Sequence, residues 1–206
     1  MAFGDSVTAG EVTFPVTNRL STSAPPVYRQ IVVPPASYPS VLLNQLRQRF
    51  FTQSIAVVNA GLSGEKAANG FARFQTAMAT NRPEVVLVLM GYNDLDNRAT
   101  VEAAFRSLER MAKEGRGLGA RVFLATLTPS IPGRLRSQLP DMILQLNASI
   151  RALAAGEQAG LVDLYQAALP NVDAWIGADG LHPTEAGYAR IADTFFAAIR
   201  ADLEVR

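Results

Sequence analysis

The sequence predicts an α/β domain with a parallel sheet held between layers of helices, and two patterns carry that expectation. Short apolar runs at 55–58, 85–90, 122–127 and 161–164 are continuous rather than alternating, as parallel strands covered on both faces require. Between them lie apolar stripes at helical spacing. Val41, Leu42, Leu46 and Phe50 form one, and Val101, Phe105, Leu108 and Met111 a second. Leu139, Ile143, Leu146, Ile150 and Leu153 form a third; Tyr188, Ile191, Phe195, Phe196 and Ile199 form the last, with Thr184 as a plausible N-cap. The stretch 67–80 also reads as helical, on a weaker stripe. Strand and helix thus alternate, which is the signature of a sheet covered on both sides.

The 206 residues suit a single domain spanning 1–206. One segment breaks the rhythm. Residues 11–35 hold Pro15, Pro25, Pro26, Pro34 and Pro35 among Ser and Thr, and read as a long inserted loop. It is either functional or a surface insertion without a role. The chain also reaches Gly4-Asp5-Ser6 almost at once, so the expected first strand reads as truncated, with residues upstream of Met1.

Composition narrows the function. Nearly half the residues are apolar and 18% are charged, the balance of a folded globular chain. The formal net charge is +1, and the densest basic patch is only Arg47 with Arg49, so no electrostatic case for nucleic acid arises. With no cysteine, disulfides, thiolate metal sites and a cysteine nucleophile are excluded. The longest apolar runs are too short to span a bilayer.

Polar residues gather where such a sheet binds ligands, beyond the carboxyl ends of its strands. Ser6 would follow the first strand, Asn59 and Gly61 the second, and Gly91, Asn93 and Asp94 the third. Asp179 and His182 lie in the loop before the last helix. Each has an ordinary reading. Ser6 reads as a turn residue or cap, Gly61 as a turn glycine, Asn93 and Asp94 as caps, and Asp179 as a turn residue bonded to its own backbone. The combination is more telling. His182 is the only histidine, so it has no second imidazole with which to share a metal, and it suits a general base. A carboxylate three residues before it can hold the ring N–H. A serine hydroxyl needs such a base, and the resulting oxyanion needs donors. The Asn93 amide and the N–H groups of Ser6 and Gly61 are candidates.

The ordered blocks Gly4-Asp5-Ser6, Asn59-Ala60-Gly61, Gly91-Tyr92-Asn93-Asp94 and Asp179-Gly180-Leu181-His182-Pro183 resemble the SGNH (GDSL) hydrolase family, and they span positions 4 to 183. The resemblance implies a three-layer α/β/α sandwich with a central parallel sheet of about five strands in flavodoxin-like order. It implies Ser6 as nucleophile, His182 as base, Asp179 as its orienting carboxylate, and Ser6, Gly61 and Asn93 as the oxyanion hole. No cofactor and no metal are implied. Two departures stand out: Val7 follows the serine where the family more often has Leu or Ile, and the 11–35 segment is longer than in compact members.

Rival motifs fail. The nearest approach to G-x-S-x-G, Gly61-Leu62-Ser63-Gly64-Glu65, lacks its last glycine, and neither a P-loop nor a dinucleotide fingerprint is present. A non-catalytic carbohydrate- or lipid-binding domain on the same fold is the alternative, but such a relative is expected to lose Ser6, Asn93 or His182. The expected activity is therefore hydrolysis of a carboxylic ester through an acyl-enzyme, the substrate being a small-molecule short-chain acyl ester, a lysophospholipid-type ester or a carbohydrate O-acetyl ester. Asp5, Leu95, Ile131, Trp175, Ile176 and Leu181 are expected to line the site. Trp175 reads either as a stacking or groove-lining aromatic or as one that closes its loop. Upstream residues would fit a removed export signal, which points toward an exported bacterial protein; oligomeric state is not legible.

Overall fold

The computed structural model describes residues 1–16, 27–95 and 97–204. Five strands form the central sheet: β1 (Ala2–Gly4), β4 (Asn59–Gly61), β5 (Val85–Leu89), β6 (Arg121–Ala125) and β7 (Gly160–Val162). Every pairing is parallel, and the spatial order is β4-β1-β5-β6-β7. Numbered along the chain these five strands run 2-1-3-4-5, the flavodoxin-like order. The order reverses between β1 and β5, which opens a crevice at their carboxyl ends, just where Ser6 and Tyr92–Asp94 emerge.

The long helices are α2 (Tyr38–Arg49), α3 (Phe71–Asn81), α4 (Arg98–Gly117), α5 (Pro140–Gly156) and α8 (Glu185–Leu203); α1 (Ser6–Ala9), α6 (Leu164–Ala168) and α7 (Val172–Trp175) are single turns. Right-handed crossovers put the helix between β1 and β4 on one face and those after β4, β5 and β6 on the other. The packing agrees, with α2 against α8, and α3, α4 and α5 side by side in a row. On the first face Tyr38 of α2 stacks on Phe195 of α8 at 4.9 Å. On the sheet, Phe3 meets Phe74 of α3 edge to face at 5.1 Å. Thr184 caps α8, its hydroxyl accepting the Gly187 N–H at 2.9 Å.

The structure corrects three expectations. Residues 55–58 are neither strand nor buried: pairing falls on Asn59–Gly61, at the sheet's edge, where one face of the apolar run needs no cover. At the opposite edge the strand is Gly160–Val162, with Leu161 exposed, and Leu164 already begins α6. The segment 11–35 is not a continuous loop. Residues β2 (Glu11–Pro15) and β3 (Tyr28–Val32) pair antiparallel, Glu11 opposite Val32 and Pro15 opposite Tyr28. Pro15 closes β2, and Pro34 and Pro35 fall in the turn at Pro34–Ala36, so no ladder N–H is lost. The intervening Pro25 and Pro26 lie outside the described residues.

Candidate active site

Three loops and a hairpin converge at the carboxyl end of the sheet. Ser6 is the first residue of α1, directly after β1, and its hydroxyl is nearly buried. Asp5 fixes this turn. One carboxylate oxygen accepts the Val7 N–H at 3.1 Å and the other the Gly91 N–H at 3.4 Å, so β1 and β5 are tied together beneath the serine. Asp5 is fully buried, and burial pushes its carboxyl up to about 7 against those two bonds.

His182 Nε2 lies 3.0 Å from Ser6 Oγ, and His182 Nδ1 lies 2.6 Å from Asp179 Oδ2. The other oxygen of Asp179 accepts the backbone N–H groups of Leu181 and His182, both at 3.0 Å. The turn reading and the ring-orienting reading of Asp179 thus coexist, one on each oxygen. Gly180 adopts φ +87°, and a side chain there would meet the backbone oxygen of Ile131 at 2.9 Å. The 131–139 segment docks on the same loop: Ile131 N–H donates to Gly180 O and Arg136 N–H to Asp179 O.

The hairpin adds contacts that the sequence alone did not suggest. The Thr13 hydroxyl donates to Asp179 Oδ2 at 2.7 Å, and the Gln30 amide reaches the same oxygen at 3.4 Å. Glu11 Oε2 lies 3.1 Å from His182 Nε2, the atom that also faces Ser6. Burial would lower the imidazole's affinity for a proton, but the bonds to Asp179 and then Glu11 outweigh it and push His182 up to about 9. For Asp179 burial works the other way, yet the bonds from His182, Leu181 and Thr13 hold its carboxyl well below the usual range. Glu11 is held below its ordinary value by the bond to His182. An alternating signal was available in Val12, Thr13 and Phe14, but nothing in it says which side chain meets the imidazole.

The candidate oxyanion donors come from three loops. As the first residue of α1, Ser6 has no intrahelical acceptor for its N–H. The Asn93 amide donates one hydrogen to Glu65 O at 3.0 Å, leaving the second to point elsewhere. Gly61 N–H is taken by the Asn59 side chain at 3.0 Å. Gly61 packs so closely on α1 that an added Cβ would sit 2.1 Å from Ala9 N. Asn93 and Asp94 do not cap the next helix; Asn97 does, accepting from Ala99 and Thr100. Asp94 instead accepts the N–H groups of Ala67 and Ala68, at 2.7 and 3.1 Å, which pins the loop after β4 to the loop after β5.

Beside the triad lies an open cleft of about 400 Å³ lined by Asn93, Leu135, Arg136, Ser137, Gln138 and Leu181. Of the residues expected to line the site, only Leu181 does so. Asp5 is sealed under the turn, and Leu95, Trp175 and Ile176 are core residues at 3%, 7% and 1% exposure. Ile176 bridges to Pro183, and Trp175 O accepts the Thr184 N–H, so both close the His182 loop rather than face the cleft. Half-buried Ile131 packs against the core. A second recess of about 520 Å³, between α3 and α4, holds none of the candidate residues. Among the described residues no group of three or more His, Asp or Glu side chains is placed to hold a metal ion, and no helix is long and apolar enough to cross a membrane.

A doubly wound sheet thus brings Ser6, His182 and Asp179 into one hydrogen-bonded row at its carboxyl edge. Residues 2–190 match the GDSL-like lipase/acylhydrolase family, and the chain belongs to that family. The esterase TesA of Pseudomonas aeruginosa is 28% identical over 144 residues, 70% of this chain and 69% of that one. An arylesterase of Vibrio mimicus is 26% identical over 157 residues, 76% and 75% of the two chains. The crystal structure of a lipase/acylhydrolase from Enterococcus faecalis superposes with a TM-score of 0.75 at 26% identity, covering 100% of this chain and 96% of that one. The protein is an ester-cleaving hydrolase.

Proposed function

We propose that the chain cleaves carboxylic esters through an acyl-enzyme on Ser6, and that its substrates pair a short acyl group with a polar alcohol. The reading rests on the hydrogen-bonded run from Ser6 Oγ through His182 to Asp179. As Ser6 Oγ attacks the ester carbon, its proton passes to His182 Nε2, and Asp179 stabilises the imidazolium through Nδ1. The tetrahedral oxyanion is held by Ser6 N–H and the free hydrogen of the Asn93 amide. Gly61 N–H joins them if Asn59 releases it. The imidazolium then gives its proton to the departing alkoxide oxygen. Water attacks the acyl-enzyme with His182 again as base, releasing the acid and restoring Ser6.

The cleft supports the short acyl group: of its six described lining residues four are polar and two, Leu135 and Leu181, are apolar. A long acyl chain needs a continuous apolar groove to gain from its length. The test is hydrolysis of p-nitrophenyl esters from acetate to palmitate, with Ser6→Ala alongside. The expected result is turnover that falls as the chain lengthens and a dead serine variant. An active, folded Ser6→Ala protein would refute the acyl-enzyme, and turnover rising with length would refute the short pocket.

A further inference from the structure

The imidazole of His182 is flanked by carboxylates on both nitrogens. Nδ1 faces Asp179 Oδ2 at 2.6 Å and Nε2 faces Glu11 Oε2 at 3.1 Å. An ionised carboxylate only accepts hydrogen bonds. Both contacts are hydrogen bonds only when both ring nitrogens carry hydrogen, that is, when the ring is the imidazolium. In that form it has no lone pair with which to take the Ser6 proton.

Glu11 is held firmly in this position. It begins β2, paired with Val32, and its backbone oxygen accepts the Tyr188 hydroxyl of α8 at 2.7 Å. Thr13 and Gln30 of the same hairpin tie the hairpin to Asp179. Among the described residues the charged groups that act on the ring are Asp179 from its own loop, Glu11 from β2, and Asp5 from the turn before α1; Arg136, from the segment docked on the His182 loop, acts on Glu11.

We propose that Glu11 is a positioning residue that holds His182 as the imidazolium in the free enzyme, so that Ser6 stays unactivated until the Nε2 proton is lost. The Nε2 proton leaves to solvent as pH rises, and Nε2 then accepts from Ser6 Oγ instead of donating to Glu11. The inference rests on the assignment of His182 as the base.

The test uses the fact that His182 is the only histidine. A ¹H–¹⁵N titration of the imidazole reads one residue, in wild type and in Glu11→Gln. Removing a charge this close is expected to lower the titration midpoint by roughly one to three units. The acid limb of kcat/KM on a neutral ester is expected to move by the same amount, so that below both midpoints Glu11→Gln outpaces wild type by about tenfold per unit. Glu11→Asp, which keeps the charge but shortens the arm, is expected to fall between them, and it serves if the glutamine variant does not fold. An unchanged imidazole midpoint overturns the proposal, as does a folded Glu11→Gln protein slower than wild type at every pH. Because the titration needs no turnover, it separates failure of this inference from failure of the esterase reading.

Discussion

In the proposed mechanism Asn93 offers the oxyanion a side-chain donor and Gly61 a backbone N–H that Asn59 must first release, so their substitutions should fail differently. Asn93→Ala removes a side-chain donor from a half-buried position without touching the sheet. It is expected to lower kcat by roughly 10²–10³ with Tm nearly unchanged, as loss of one oxyanion donor does elsewhere. Near-normal turnover in the folded variant would remove Asn93 from the mechanism. Gly61→Ala places a methyl 2.1 Å from backbone Ala9 N, where nothing flexible can yield. It is expected to cost stability as well as activity, since β4 must move away from α1; a thermal melt decides. A third residue-scale case is Thr13→Val, nearly the same shape without the donor to Asp179. Its expected effect is a severalfold loss in kcat with KM unchanged, because Asp179 then orients the imidazole with one bond fewer.

At the scale of elements, the catalytic loop is a short span stretched between two helices. It is fixed behind by α8, whose N-cap Thr184 accepts from Gly187 and also donates to Ala174 O at 3.0 Å. Thr184→Ala is expected to cost about 1 kcal/mol, read as a lower midpoint in urea. In front, the β2–β3 hairpin carries Glu11 and bonds Asp179 through Thr13 and Gln30. The alternation of strand and helix was readable because apolar periodicity survives without knowledge of partners. The hairpin was not, because Pro15, Pro34 and Pro35 read as breakers when in fact Pro15 closes β2 and the other two stand in the turn after β3. The edge strands were misplaced for a related reason: at an edge, pairing is decided by the neighbour's register, and the apolar run at 55–58 lies one step before it.

For the molecule as a whole, stability and activity should respond to pH in opposite directions. His182 binds its proton more tightly folded than free, at about 9 against 6.5. Its stabilising contribution is therefore complete below pH 6.5 and is lost as pH rises through about 9. Asp5 is also favoured in its protonated form by the fold, at about 7 against 3.8, so its contribution is lost as pH rises through about 7. Tm is expected to fall over the same alkaline range in which kcat/KM climbs, since the base must be unprotonated to act. Melts and rates in one buffer series test this; a Tm that rises toward pH 9 contradicts it.

The sequence by itself determined the layered α/β class and the residues whose chemistry is carried by local motifs. Gly4-Asp5-Ser6 and Asp179-Gly180-Leu181-His182 are legible because a tight turn and a three-residue carboxylate–imidazole spacing are local constraints. Only the tertiary structure decided what surrounds them. It buried Asp5, Leu95, Trp175, Ile176 and Leu181, set Leu181 alone of these at the wall of the cleft beside the 135–138 segment, and turned the Gly61 N–H toward Asn59. It also brought Glu11 to an imidazole far along the chain. The reason is that such contacts depend on strand register and on how a hairpin lies over a sheet, and neither is written in the residues that end up touching.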